Sequence, residues 1–172
     1  MAGVEYSAIP RATAAPFMPT VVALVAATAK TVLQVAVPAT TDIVILGWQV
    51  SFDGASGTAV PVICQLVDGD VAASGLTALT PEPWGNAQQA ASLCVGGAAL
   101  TGHGGGVTPT EGTLTTVRQL DAGHVHPQAG YGLWFPDVTR PRVGSSRFLR
   151  IRCQASAAVN VIPEVWWGEP AV

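Results

Sequence analysis

The chain has 172 residues, of which 49% are apolar and only 11% are charged, and its formal net charge is −3. This length suits one domain with a sizeable core, and the acidic balance argues against a nucleic-acid partner. No apolar run approaches the roughly 20 residues of a membrane helix, and prolines and charges interrupt the N-terminus where a signal peptide would need its apolar core. We therefore expect a soluble, unprocessed protein without a membrane partner that covers its apolar surface in an oligomer or larger assembly.

The first 19 residues carry three prolines and show neither a strand period nor a helix period. They predict an extended N-terminal arm that contributes little to the core, so that the domain should fold without it. Its apolar anchors are Tyr6, Ile9, Phe17 and Met18, which we expect to contact a neighbouring subunit; the alternative is a disordered tail. Residues 20–172 are expected to form a single domain, because no repeat or shift in composition marks a second one.

From residue 20 onward the chain has the pattern of successive β-strands separated by loops rich in Gly, Pro, Ser and Thr. The strands are predicted at 30–37, 42–53, 59–68, 75–80, 112–121, 131–135, 147–154 and 158–167. A short Gly/Ser loop joins the second and third of these, which predicts a hairpin. About eight strands with this spacing predict an all-β sandwich or barrel.

The Gly-rich stretch 93–113 is a long segment without a strand or helix pattern. Loops of this length are uncommon in compact domains and are usually functional or mobile. Because the stretch has almost no charge, we interpret it as an exposed tip or a loop that contacts another subunit.

The sequence GHVHPQ, residues 123–128, places His124 and His126 two residues apart, so on a strand both rings face the same side. A cupin-type metal site also needs a glutamate shortly afterwards and a later third histidine, and neither follows. The remaining ligands would be His103, in the Gly-rich stretch, or Asp121. We therefore expect no cofactor and no bound metal, with His124 and His126 kept only as alternative metal ligands.

Catalytic motifs are missing from the sequence. There is no nucleophile elbow, no phosphate-binding loop and no carboxylate pair outside a turn. The three cysteines, Cys64, Cys94 and Cys153, have no metal-type spacing and suit free thiols in a reducing compartment. We therefore expect that the protein is not an enzyme.

Five of the eight basic residues are arginines between Arg140 and Arg152. We interpret this cluster as a solvated surface with ion pairs to Asp137 and Glu164. The alternative is a docking patch for an acidic partner, in which Arg140 and Arg142 are interface residues.

Tryptophans supply the other interface candidates. Trp166 and Trp167 are adjacent, so on a strand they face opposite sides. One of them can lie in the core, and the other is then exposed or meets a partner. Trp134 is a third candidate, either for a protein interface or for stacking on a sugar.

Five stretches follow one another along the chain: LGWQVSFDG, PVICQLVDGD, ALTPEPWGNAQQAAS, HVHPQAGYGLWFPD and RFLRIRCQASAAVNVIPEVWW. This ordered series, over roughly residues 32–164, resembles small structural proteins of tailed bacteriophages, in particular head-decoration (cement) proteins with a jelly-roll-like β-sandwich. The resemblance implies a homotrimer, made in the host cytoplasm, that binds the major capsid protein on the outside of the virion head. It also implies that His126, Pro127 and Gln128 shape a turn, and it supplies no catalytic residue.

Two alternatives stay open. One is a tail-associated carbohydrate-binding or receptor-binding module, in which Trp134, Trp166 or Trp167 stacks on sugars. The other is a cupin-like metal-binding protein.

Overall fold

The computed structural model describes residues 4–8, 21–24, 28–53, 60–83, 91–104 and 109–170. Within these residues the chain forms thirteen β-strands and one 3-10 turn, and the strands make two antiparallel sheets that pack face to face. The predicted all-β sandwich is therefore confirmed. In the same ranges, no helix is long and apolar enough to cross a membrane.

Eight of these strands have five or more residues: β1 (Val4–Ala8), β3 (Lys30–Ala36), β4 (Ile43–Phe52), β5 (Val62–Gly69), β9 (Val117–Val125), β10 (Gly130–Trp134), β12 (Phe148–Gln154) and β13 (Val159–Glu169). The short strands are β2 (Val22–Leu24), β6 (Thr77–Ala78), β7 (Glu82–Pro83), β8 (Gly102–His103) and β11 (Arg142–Val143), and the 3-10 turn is Asp137–Thr139. Most long strands lie where the sequence predicts them, but β9 starts five residues later than the predicted 112–121.

The strand order explains how the sandwich closes. In the described part of the chain, one sheet runs β10-β4-β13-β1-β7, with β11 added to β4 and β2 to β13, and the other runs β6-β8-β3-β12-β5-β9. Three antiparallel pairs are nested along the chain: β3 with β12, β4 with β10, and β5 with β9. These pairs alternate between the two sheets, and such nested wrapping is what a jelly roll requires.

The predicted hairpin between β4 and β5 is not formed. β4 pairs with β13 and β10 in one sheet, whereas β5 pairs with β12 and β9 in the other. β4 and β5 therefore lie in different layers of the sandwich. A Gly/Ser loop indicates only that the chain reverses. A hairpin within one sheet and a pair of strands in two facing sheets bury the alternating apolar side chains equally well, so the sequence pattern does not distinguish them.

Alternating side chains from both sheets fill the space between them. Leu149, Ile151 and Cys153 of β12 are buried in this core, as their alternation predicts. Cys153 lies opposite Cys64 of β5 with the two sulfur atoms 3.7 Å apart. Cys94 is buried as well, and all three cysteines are free thiols.

The first strand belongs to the sandwich. β1 pairs with β13 along its whole length and with β7 on its other side. Tyr6 and Ala8 are buried, and the Tyr6 ring centroid lies 6.2 Å from that of Trp167. The prediction that residues 1–19 stay outside the core is therefore wrong for residues 4–8.

Burial also changes the role of two predicted interface residues. Tyr6 and Trp167 are core residues of their own chain, so they are not available to a neighbouring subunit. The other anchors of the predicted arm, Ile9, Phe17 and Met18, lie outside the described residues. β1 was not predicted because a strand of five residues contains only two alternations between its two faces. The prolines that follow in the sequence hide so short a pattern.

Candidate functional site

The histidine pair lies at the end of β9, which is an edge strand of its sheet. His124 and His126 are both exposed, and the buried Val125 separates them. Nδ1 of His126 accepts a hydrogen bond from the backbone N–H of Gln128 at 3.2 Å. The stretch is therefore a strand end followed by a proline-containing turn, as predicted.

Neither of the other possible ligands joins this pair. His103 is buried on β8, four strands away from β9, which is about 19 Å at the usual spacing of strands. Burial lowers the pKa of His103, because it disfavours the charged form of the ring. Across the described ranges, no three His, Cys, Asp or Glu side chains are grouped so that they could hold a metal.

Asp121, the second possible ligand, serves another purpose. Its carboxylate accepts hydrogen bonds from Nε1 of Trp48 at 3.1 Å and from the hydroxyl of Tyr131 at 2.7 Å. The bond to Asp121, together with burial, raises the pKa of Tyr131 to about 12. Asp121 therefore satisfies two aromatic donors that pack at 5.3 Å between ring centroids.

We expect the purified protein to carry no stoichiometric transition metal, because no third ligand from the described part of the chain joins the two exposed imidazoles. Elemental analysis of the protein prepared without chelator measures this. A Zn, Fe or Mn content of about one per chain that disappears in His124→Ala but persists in His103→Asn would contradict it.

One arginine of the cluster lies inside the fold. Arg150 is fully buried on the outer face of the six-stranded sheet, and its guanidinium donates to the Thr31 hydroxyl from Nε at 2.9 Å and from Nη2 at 2.7 Å. It also donates to the carbonyl of Val71 at 3.2 Å and to the Glu111 carboxylate at 2.5 Å. Arg150 therefore fixes the segment around Glu111 to the sheet.

Asp68 and Glu111 are the main acidic partners of the cluster. The buried Asp68 receives Arg147 at 2.5 Å and Arg118 at 2.9 Å, and Glu111 lies 3.3 Å from Nε of Arg152 in addition to its bond with Arg150. The predicted interpretation of a solvated surface is wrong for Arg150, because a segment some forty residues earlier in the chain covers it.

The two arginines predicted at an interface differ in exposure. Arg140 forms the predicted ion pair with Asp137 at 2.6 Å. Arg142 lies 3.5 Å from Asp42, and its side chain is 71% exposed. Within the predicted docking patch, only the Arg142 guanidinium is strongly exposed. The other arginines of the cluster form ion pairs or hydrogen bonds with residues of the same chain.

Residues 91–101, which we call the apolar loop, are held in place by buried polar groups. The carboxylate of Glu169 accepts hydrogen bonds from the Ser92 hydroxyl at 2.5 Å, from the Leu93 N–H at 2.9 Å and from Nε1 of Trp167 at 3.0 Å. At the other end, Nε2 of Gln34 donates to the carbonyl of Leu100 at 2.7 Å. Because Glu169 and Gln34 are buried, both ends of the loop are anchored to the sandwich.

The apolar loop nevertheless shows apolar side chains to solvent. Leu93, Val95 and Leu100 are exposed by 37%, 60% and 40%. Beyond them, Thr101 and His103 are buried against the sheet. The prediction of an exposed tip therefore holds for the first part of the Gly-rich stretch and is wrong for 101–104.

Trp134 and Trp166 form a stacked pair, which we call the aromatic platform, on the outer face of the seven-stranded sheet. Their ring centroids are 4.7 Å apart and their planes are inclined by 25°. Both pair in register with Gly47 of the strand between them. A Cβ at Gly47 would lie 2.8 Å from the Leu133 carbonyl and 3.0 Å from the Trp134 ring, so the platform requires glycine there.

Exposure within the aromatic platform is uneven. Trp134 is 54% exposed, whereas Trp166 is only 6% exposed. The prediction that one of Trp166 and Trp167 lies in the core is confirmed for Trp167. Trp166 is not exposed, because it is buried with Trp134 of the same chain stacked on it, and its contact with a partner stays a prediction. Trp134 is therefore the aromatic side chain of this group that a ligand can reach.

No protein-family model, no curated protein and no solved structure matches this chain. What the described geometry defines is a jelly-roll-like β-sandwich that carries an anchored apolar loop and an aromatic platform. The phage family named from the sequence stays a prediction.

Proposed function

We propose that the protein is a structural component of a tailed-phage virion, a decoration protein that binds the major capsid protein on the outside of the head as a homotrimer. The proposal rests on the ordered sequence stretches and on one structural observation, the anchored apolar loop. The function is mechanical: the trimer bridges neighbouring capsid subunits and opposes rupture of the shell.

The apolar loop supports a contact between subunits. No charged residue occurs between residues 91 and 104, and charged residues are depleted at the centres of protein interfaces. Apolar area removed from water contributes about 25 cal/mol per Å². Since Glu169 and Gln34 already fix the loop, association does not have to order it first, which lowers the entropic cost of binding.

The distribution of charge supports the same role. Asp68 and Glu111 each pair with two arginines and offset half of their four positive charges, which weakens the positive field of these arginines at the surface. Attachment to a shell then depends on several weak contacts for each trimer, whose effects combine through multivalency. Loss of the trimer should therefore also reduce attachment.

The double variant Val95→Ser/Leu100→Ser is expected to remain folded but to be monomeric, because it removes the apolar surface of the anchored loop. Light scattering should give a mass near 17.6 kDa for the variant and about three times that mass for the unmodified protein at micromolar concentration. Val138→Ser is the matched control, since Val138 is 93% exposed in the 3-10 turn and does not belong to the apolar loop. A double variant that stays trimeric, or an unmodified protein that is monomeric at every concentration, would contradict the prediction.

Co-sedimentation with undecorated capsids of the phage that encodes the protein tests the function itself. The unmodified protein should pellet with the capsids and saturate at a fixed ratio to the major capsid protein. The monomeric double variant should bind at least tenfold more weakly, because it loses multivalent contact. Unmodified protein that stays in the supernatant at micromolar concentration would refute the decoration role.

A further inference from the structure

We infer that the outer face of the seven-stranded sheet around Trp134 is a binding site for a neutral saccharide. This inference rests on the side chains of three neighbouring strands and does not depend on the decoration role.

The site consists of nine positions on β10, β4 and β13. Their register gives three rows across the strands: Trp134, Gly47 and Trp166; then Gly132, Gln49 and Glu164; then Gly130, Ser51 and Ile162. Neighbouring strands are about 4.8 Å apart, and successive rows are about 6.8 Å apart along each strand. One row is therefore separated from the next by roughly the width of a sugar ring.

Trp134 provides the apolar surface. A pyranose ring presents a face of C–H groups, which packs against an aromatic ring, while its hydroxyl groups point outward. Trp134 is more than half exposed, and its stacking on Trp166 holds the ring in one orientation before a ligand arrives. A large aromatic side chain that is already fixed loses little conformational freedom on binding.

Glycines leave room beside this ring. Gly132 and Gly130 follow Trp134 along the edge strand on the same face of the sheet. Neither has a side chain, so a shallow depression borders Trp134 on this strand. A Cβ at Gly132 would meet Cβ of Gln49 at 3.4 Å, which is an ordinary contact. A larger side chain is therefore compatible with the strand and would fill the depression.

The second row supplies hydrogen-bonding groups and sets the charge of the ligand. Gln49 is exposed, and its Nε2 donates to Oε2 of Glu164 at 2.8 Å. Glu164 is only 9% exposed, so the exposed amide carbonyl of Gln49 is the group that accepts a hydrogen bond from a ligand hydroxyl. The nine positions contain a carboxylate and no lysine or arginine, so they favour a hydroxyl-rich neutral ligand over an anionic one.

A glycan array probed with the full-length protein, followed by titrations monitored by tryptophan fluorescence, tests the inference. The titrations use cellohexaose, maltohexaose and chitotriose as neutral probes and sialyllactose as the anionic one. We expect saturable binding of at least one neutral probe in the millimolar range or tighter. Trp134→Ala and Gly132→Val should each weaken that binding at least tenfold, and Val138→Ser should leave it unchanged.

Three results would overturn the inference. The first is that no neutral glycan binds on the array or in titrations up to about 10 mM, which is roughly the weakest useful affinity. The second is that the protein prefers sialyllactose to the neutral probes. The third is that binding of a neutral probe survives both Trp134→Ala and Gly132→Val. Gly132→Val adds a side chain to the edge strand and leaves Trp134 in place. Weaker binding by this variant would therefore indicate that the site is blocked and not that the protein is unfolded. A protein that assembles on capsids but binds no saccharide would overturn this inference alone.

Discussion

Deletion of residues 1–8 is expected to lower the free energy of unfolding by more than about 5 kcal/mol, which is enough to unfold many domains of this size. β1 lies between β13 and β7, so its removal breaks two sets of backbone hydrogen bonds at once. It also uncovers Trp167, against which Tyr6 packs. Loss of one buried aromatic side chain alone costs about 3–5 kcal/mol. Urea denaturation followed by tryptophan fluorescence measures the loss.

This result would reverse the expectation from the sequence that the domain folds without its first residues. Glu5→Ala is the matched control on the same strand, because Glu5 is exposed and should have little effect. A deletion variant that unfolds cooperatively at the same urea concentration as the full chain would show that β1 does not contribute to the sandwich.

Arg150→Met is expected to lower the free energy of unfolding by about 3–5 kcal/mol, because it breaks a largely buried ion pair and leaves the Glu111 carboxylate with only the more distant Arg152 guanidinium. Glu111 would lose its bond to the guanidinium, and the Thr31 hydroxyl would lose two donors. Thermal and urea unfolding of the variant measure the effect. Protection of the segment 109–116 from hydrogen exchange should fall with it.

Two further variants separate burial from charge. Arg142→Met removes an exposed guanidinium at 3.5 Å from its partner and should unfold at nearly the same urea concentration as the unmodified protein. Adding Glu111→Gln to Arg150→Met should restore part of the lost stability, because it removes the carboxylate charge that has lost its buried partner. The explanation fails if Arg150→Met is as stable as Arg142→Met.

Strands with a regular alternation could be predicted from the sequence alone. In β12, the alternation of Leu149, Ile151 and Cys153 with polar neighbours gives both the strand and the face that enters the core. Adjacent residues such as Trp166 and Trp167 must face opposite sides of a strand, so that one of them reaches the core. These features depend only on the period of a strand, which is a local property.

Features set by distant parts of the chain could not be predicted in this way. The burial of Arg150 depends on Glu111, which is 39 residues earlier along the chain. The only signal was that Glu111 is the single carboxylate in the Gly-rich stretch 93–113. The aromatic platform likewise depends on register, because Trp134 and Trp166 meet only through their common partner Gly47. A glycine inside a strand pattern was the available signal, since it often marks a close approach.

Cryo-electron microscopy of the purified virion tests the central claim most directly. The decoration role predicts density for the two-sheet sandwich on the outer surface of the head, in groups of three, with the apolar loop at the contacts between subunits. Density for the protein in the tail alone, or a mature virion without the protein, would contradict it.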